Sequence, residues 1–393
     1  TRRSSDLLAT KFLSLEKLYG TEEALRLVKA SEKAVNDMAT FCQQHQIDCE
    51  LRLDGTFYIA TNKAQVGVMT PVLEQLENLG ISSWSELGLA KAGNFSGTKV
   101  IEQAHFSDKG GSVHPAKLVH GLRRVALELG VDIFEKTPMT NLLETDPPLV
   151  KTPQGSIQAK KVVLAVNAWM ASRFKQFSRT MAVVSSDMCV TEPCPQLLQT
   201  IGLNHGATIC DSRIFVHYYH TTGDGRLLFG KGGNTFSFGS RMIRSFFATS
   251  RYEEQLRTAI NRFLPELKGV KIDACWNGGS DRTVTGFPIF GKLKEHPDIY
   301  YGFGYSGNGV TQALLGGRIL RSLVLGVEDE WSNCGFVGGP RGYFPPEPVR
   351  YIGAHMVRNA IRRKERAEDA DRKPAALDSY LASFAKTAGK ADK

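Results

Sequence analysis

Apolar residues recur along this chain in two periods. Leu118 to Leu129, and the stretch after Gly309 with Val310, Ala313, Leu314, Ile319, Leu320 and Leu323, carry the spacing of helices. Short β-branched and aromatic runs predict strands at 131–135, 151–152, 161–166, 183–191, 227–230 and 299–303. Residues 51–60, apolar around Asp54-Gly55, read as an edge hairpin, and 214–230 as a hairpin turning at Asp224-Gly225. Past Pro340, Pro345, Pro346 and Pro348 a last helix is expected. On it Arg358, Arg362 and Arg366 repeat every fourth residue, while Ile352, Met356 and Ala360 lie elsewhere around it. The last dozen residues are expected to fray.

Between the 299–303 strand and the helix after it lies Gly302-Phe-Gly-Tyr-Ser-Gly-Asn-Gly-Val310, in which Gly302, Gly304 and Gly307 satisfy the dinucleotide fingerprint G-x-G-x-x-G. A dinucleotide fold needs a second parallel strand ending in an acid. Here Glu328, Asp329 and Glu330 follow only the tail of the same helix, so that reading fails. What remains is a glycine turn at a helix N-terminus, where backbone N–H groups and the dipole favour negative charge. A phosphate, the pyrimidine edge of a flavin, and a tight turn with no ligand all stay open.

The chain around this turn, Trp276-Asn-Gly-Gly-Ser-Asp-Arg-Thr-Val-Thr-Gly-Phe-Pro-Ile-Phe-Gly291, resembles the C-terminal flavin segment of the FAD-dependent amine and amino-acid oxidoreductases of the glycine oxidase, sarcosine oxidase and D-amino-acid oxidase type. Asp281-Arg282-Thr283 stands at the family's bend, Thr285 where Asp is usual, and Asn308 where His or Gln is usual. Asp108-Lys-Gly-Gly-Ser-Val-His-Pro115 is similar to the family's helix entry, Lys161-Val-Val-Leu-Ala-Val-Asn-Ala-Trp169 to a family strand, and the 214–230 hairpin to another family segment. Together these cover residues 50 to 326.

The resemblance implies an α/β (α+β) fold: a discontinuous, glutathione-reductase-type FAD-binding domain at about 1–37, 99–175 and 272–335, and an antiparallel-sheet substrate domain at 38–98 and 176–271. Residues 336–393 form a basic helical extension. It also implies that the unit binding the ADP half of FAD, on the order of 40–60 residues around a ~30-residue βαβ, is missing ahead of Thr1, so the FAD domain is N-terminally incomplete.

Composition narrows the class. A 393-residue chain with 42% apolar residues suits two domains, and no run is apolar enough to span a bilayer. Seven cysteines without paired metal spacing read as reduced, cytoplasmic thiols, Cys275 among them. From Arg341 to Lys393 there are 12 Lys/Arg against 7 Asp/Glu, net +5 of the chain's +9. No aromatic residue lies among Arg358, Arg362 and Arg366, so a helix face docking on the main body is favoured over nucleic-acid or membrane contact.

The implied activity is FAD-dependent oxidation of a primary or secondary amine to an imine. The implied substrate is a small amine bearing an acidic group: an amino acid, an N-methyl amino acid, a γ-glutamylated amine or an aminophosphonate. The alternative is a flavin-deficient homologue serving as a binding or structural subunit. Cofactor contacts are expected from Ala165, Asn167, Arg282, Gly304, Tyr305, Ser306, Gly307, Asn308, Gly309 and Val310. His114, Tyr218, Tyr219 and Arg213 are the candidate catalytic residues, with no metal ligands. Alternation should send only half of His217, Tyr218, Tyr219 and His220 towards substrate. Arg226 and Arg282 compete with Arg213 to clamp an anion.

Overall fold

The computed structural model describes residues 2–3, 8–385, 389, 391 and 392. Its centre is one eight-stranded sheet: β1 (Thr56–Ala60), β2 (Ser85–Glu86), β3 (Gln103–Ser107), β4 (Met181–Thr191), β5 (Thr208–Asp211), β6 (His217–Thr221), β7 (Leu227–Phe236) and β8 (Ile272–Thr283), in the order β8-β4-β7-β6-β5-β1-β3-β2. All neighbours run antiparallel except β5 and β1, which are parallel. The expected hairpin turns between β6 and β7 at Thr222–Arg226, where Gly225 takes a φ of 74°.

Three expectations change. Residues 51–60 supply one interior strand, β1, and no edge hairpin. Phe57, Tyr58, Ile59 and Ala60 are all buried because the strand is covered on both faces. Residues 131–135 form no strand, since Val131, Ile133 and Phe134 are exposed and no neighbour offers them a ladder. Asp281-Arg282-Thr283 is the end of the long strand β8, paired with β4 from Ile272↔Thr191 to Thr283↔Met181. β3 and β8, in segments expected within the cofactor unit, thus pair into this sheet.

The helices that matter are α1 (Thr21–Gln44), α2 (Pro115–Glu128), α3 (Glu253–Phe263), α4 (Gly309–Leu325), α5 (Val349–Asp369) and α6 (Ala376–Ser383). The sheet's two faces have separate fates. On one, Tyr219, Phe229, Ile209 and Cys189 pack under Leu256, Ile260 and Phe263 of α3. Phe229 stacks on Tyr219 at 5.7 Å and meets Phe263 edge-on at 5.8 Å, an offset geometry that aromatic quadrupoles favour. The other face is open to a cavity.

A second, three-stranded sheet joins Ile289–Lys292, Ile299–Phe303 and Val162–Leu164, the last two parallel. α4 lies tight against it, with α1 alongside. A Cβ on Gly316 would run into Tyr305 and come within 2.9 Å of the Phe290 ring, so only glycine permits this approach. Leu27, Val28, Phe290, Ile319 and Phe336 fill the shared core. Among the described residues no helix is long and apolar enough to cross a membrane. Within the final dozen residues, 386–388, 390 and 393 lie outside the described set. Asp392 is held rather than frayed, its carboxylate receiving Ser14 N at 2.9 Å and its own N–H reaching Thr10 O at 2.8 Å.

α5 docks on the sheet through a buried ionic cluster. Asp211, at the end of β5, takes Arg213 Nε at 2.9 Å and His217 Nδ1 at 2.8 Å, while Arg213 Nη2 reaches Asp369 of α5 at 2.5 Å. Burial alone would raise the Asp211 carboxyl, but His217, Arg213 and Lys231 more than offset it and hold it below the ordinary carboxylate range. Burial, then the Lys231 charge, pushes His217 down to about 4, so its ring is neutral near pH 7. Arg213→Met should strip the fully buried Asp211 of a guanidinium 2.9 Å away and unhook α5. A loss of about 3–5 kcal/mol in urea unfolding is expected.

Candidate active site

The open face of the sheet, the glycine turn and the helices enclose one cavity of about 1280 Å³. That exceeds the ~300–1,000 Å³ of ordinary small-molecule pockets. Its floor comes from alternate residues: Ala182, Val184, Ser186 and Met188 of β4, and Tyr218 and His220 of β6. β8 contributes Trp276 to Thr283. Met38 and Phe41 of α1, Leu118 of α2 and Val310 and Leu314 of α4 form one apolar side, and α5 and α6 form the other.

The glycine turn is fastened to the end of β8. Gly304, Ser306 and Gly307 have φ of 88°, 53° and 82°. Ser306 is the costly one, being a side-chain-bearing residue in left-handed backbone. Its hydroxyl accepts from Thr283 N at 3.1 Å and donates to Gly304 O at 3.2 Å, its N–H reaches Asp281 Oδ1 at 3.2 Å, and Arg282 Nη1 donates to its carbonyl. Asn167, itself at a φ of 40°, accepts from Gly304 N through Oδ1 at 3.4 Å. The Asn308 side chain does not cap α4.

Asp281 is fully buried, and its Oδ2 has no hydrogen-bond partner among the described residues. Burial pushes its carboxyl up to about 6, against the lowering pull of Arg282 and the turn amides. An unsatisfied oxygen at a cavity wall marks a place where a donor from a bound group belongs. At Gly232 and Gly317, which also line the cavity, nothing lies within 4 Å of where a Cβ would stand, so backbone faces open space. A planar ring with donor and acceptor edges fits such a wall.

Of the expected cofactor residues, Asn167, Arg282, Tyr305, Ser306, Gly307, Gly309 and Val310 line the cavity. Ala165, Gly304 and Asn308 lie outside its lining, and Ala165 is exposed. Of the expected catalytic residues only Tyr218 lines it, with Oη 2.6 Å from Ser186 Oγ. Tyr219 faces the core and donates to Ser96 O at 2.7 Å. His114 is the N-cap of α2, its Nδ1 accepting from Lys117 N at 3.4 Å. Arg213 is spent on Asp211 and Asp369, and Arg226 on Asp224 of the hairpin and Asp273 of β8. Sequence reasoning missed Ser186, Met188 and Trp276, although the period-two run of 183–191 carries the signal for the first two. It also missed the entire α5–α6 wall, whose contacts are remote in sequence.

The buried carboxyl sets a pH dependence. With a folded pKa raised above the unfolded one, its contribution is fully present below about pH 4. It falls as pH rises through about 6, because the folded state must surrender a proton that the unfolded state has already lost. Asp281→Asn should remove this slope, gaining up to about 3 kcal/mol over wild type at pH 7 and little at pH 4 in urea unfolding.

The chain is similar in sequence to known oxidoreductases and in fold to solved ones. A probable oxidoreductase OrdL of Haemophilus influenzae is 28% identical over 80% of this chain and 71% of its own length. Gamma-glutamylputrescine oxidoreductase of Escherichia coli is 27% identical, over 86% and 78%. A crystal structure of glycine oxidase from Geobacillus kaustophilus shares the fold with a TM-score of 0.65 at 19% identity, covering 79% of this chain and 80% of that one. The family model for FAD dependent oxidoreductases (DAO) matches residues 1–323, and the chain belongs to that family.

Proposed function

We propose that this chain oxidises a small primary or secondary amine bearing an acidic group to its imine, which water then hydrolyses to a carbonyl compound and the released amine or ammonia. The observation that carries the reading is the single cavity bounded by the glycine turn on one wall and by Tyr218, Ser186 and Trp276 on the sheet floor. Bound FAD supplies the acceptor for the hydride leaving the carbon next to nitrogen. Arg282, Tyr305, Ser306, Gly307 and Val310 would hold its ring, and the N-terminal end of α4 favours the negative charge that reduction brings.

The chain's own residues supply position and a dry wall. Leu118, Val310, Leu314 and Met188 exclude water, and the Tyr218 hydroxyl, held by Ser186, can orient the substrate nitrogen. No nucleophile is needed, because the step is removal of a hydride from carbon and a proton from nitrogen. Five arginines line the cavity (Arg282, Arg318, Arg321, Arg350 and Arg358) against a single carboxylate, Asp281, among the described residues. Arg318 is paired with Asp37 and Arg350 with Glu347, which leaves Arg282, Arg321 and Arg358 as the positive charges that favour an anionic ligand. The relatives named for gamma-glutamylputrescine and glycine support an amino acid, an N-methyl amino acid, a γ-glutamylated amine or an aminophosphonate as substrate class.

The test is spectroscopic. Purified protein supplied with FAD should show bound-flavin absorption, and an amine from one of these classes should bleach it without oxygen present. Protein that takes up no flavin, or flavin that no such amine bleaches, overturns the reading. Tyr218→Phe should lower kcat/KM about tenfold, the loss of one hydrogen bond of ~1.4 kcal/mol, with unchanged flavin content.

A further inference from the structure

α5 carries its cations in two distinct states. Arg350 pairs with Glu347 at 2.7 Å, Arg363 with Asp378 at 2.6 Å, and Lys364 with Glu368. Arg358 and Arg362, one helical turn apart, meet no carboxylate among the described residues. Both converge instead on Asn234 of β7: Arg358 Nη1 donates to its carbonyl at 2.9 Å, and Arg362 Nη2 to its Oδ1 at 2.7 Å. The acid behind Asn234 is Asp187. Its oxygens are already taken by Asn234 Nδ2 at 2.9 Å, Ser185 Oγ at 2.9 Å and Ser250 Oγ at 2.6 Å.

Arg358 lines the cavity. Its other bonds, Nε and Nη2 to Asn359 Oδ1 at 3.2 and 3.1 Å, go to a neutral, exposed side chain. Of a guanidinium's five donors, three are therefore used, and none on a charge. Burial, and then the neighbouring Arg362, make the charge on Arg358 harder to hold. His355, one turn earlier, has a buried Nε2 without a partner and sits against Tyr351 and Phe236 rather than against an acid. Two adjacent, partly desolvated guanidinium groups are an electrostatic cost that an oxyanion in the cavity would relieve.

We propose that Arg358, backed by Arg362, is the specificity-determining residue that receives the substrate's oxyanion, a carboxylate or phosphonate, on the cavity wall supplied by α5 and α6. This rests on the reading of the cavity as the site of an acidic amine, and it deepens that reading. The site lies in chain beyond the family match, which ends at residue 323. It also has a definite place. Arg350 bonds Met181 O, and Met181 pairs with Thr283 beside the glycine turn. Arg358 stands eight residues further along α5, about 12 Å at 1.5 Å per residue.

Binding to FAD-loaded protein, with no amine and no turnover, tests the proposal. Calorimetric titration with glutarate and with propylphosphonate should show saturable binding of at least one of the two, and the neutral diamide glutaramide should bind at least tenfold more weakly. Which anion binds more tightly tells carboxylate from phosphonate. Arg358→Gln should weaken that binding tenfold or more, and Arg226→Gln in the hairpin should leave it unchanged. Because Arg358 also bonds Asn234, Arg358→Lys is the second variant. It keeps the charge without the planar fork, and a several-fold loss at an unaltered Tm is expected. Wild-type protein that binds neither anion, or unchanged affinity in either Arg358 variant, overturns the proposal. A failure of every amine to bleach the flavin would sink the oxidase reading and leave this result standing.

Discussion

Ser306 joins the two halves of the molecule. It stands in left-handed backbone at the tip of the turn that ends the three-stranded sheet, and it is held there by Thr283, Asp281 and Arg282 at the end of the eight-stranded one. That clasp adds to the apolar core in which Tyr58 and Cys210 of the large sheet pack with Phe290, Ile319 and Leu323 of the small sheet and α4. Strain of this kind, on the order of 1–3 kcal/mol, persists only where surrounding bonds over-determine it. Here those bonds belong to the cavity wall formed by the glycine turn and the end of β8.

A second fastening works across the far side. The Asp211–Arg213–Asp369 chain draws α5 down onto the sheet, with Arg262 adding a bond to the same Asp369 oxygen at 3.1 Å. Taking so many charges out of water is tolerable only because they are mutually compensated and Lys231 finds the Phe215 carbonyl at 3.0 Å. The cluster therefore acts as a locator for α5. It uses up Arg213 as an anion clamp while carrying Arg358 to the cavity wall.

The glycine turn, the β6–β7 hairpin and the helix after Gly309 were legible because each is local: turn chemistry and period reveal them within twenty residues. The alternation of His217 to His220 was legible too, but its phase was not. Which of Tyr218 and Tyr219 faces the cavity depends on α3 covering one side of the sheet. β1 looked like an edge hairpin because its partners, β5 and β3, lie far along the chain. Arg213 and Arg358 show the same limit. Both are arginines near aromatic residues, and only the fold reveals that Asp211 and Asp369 neutralise one while the other is left with asparagines.

The placement of α5 and α6 bears on how the protein is made. They form one side of the cavity, yet they are synthesised after every strand of the sheet they cover. As the chain emerges, the sheet can pair and α3 can seal its dry face while the opposite face still lies open. During that interval the open face is accessible to a bulky planar cofactor, before α5 and α6 cover it. The order in which the chain leaves the ribosome thus sets the order in which the walls of the cavity are put in place.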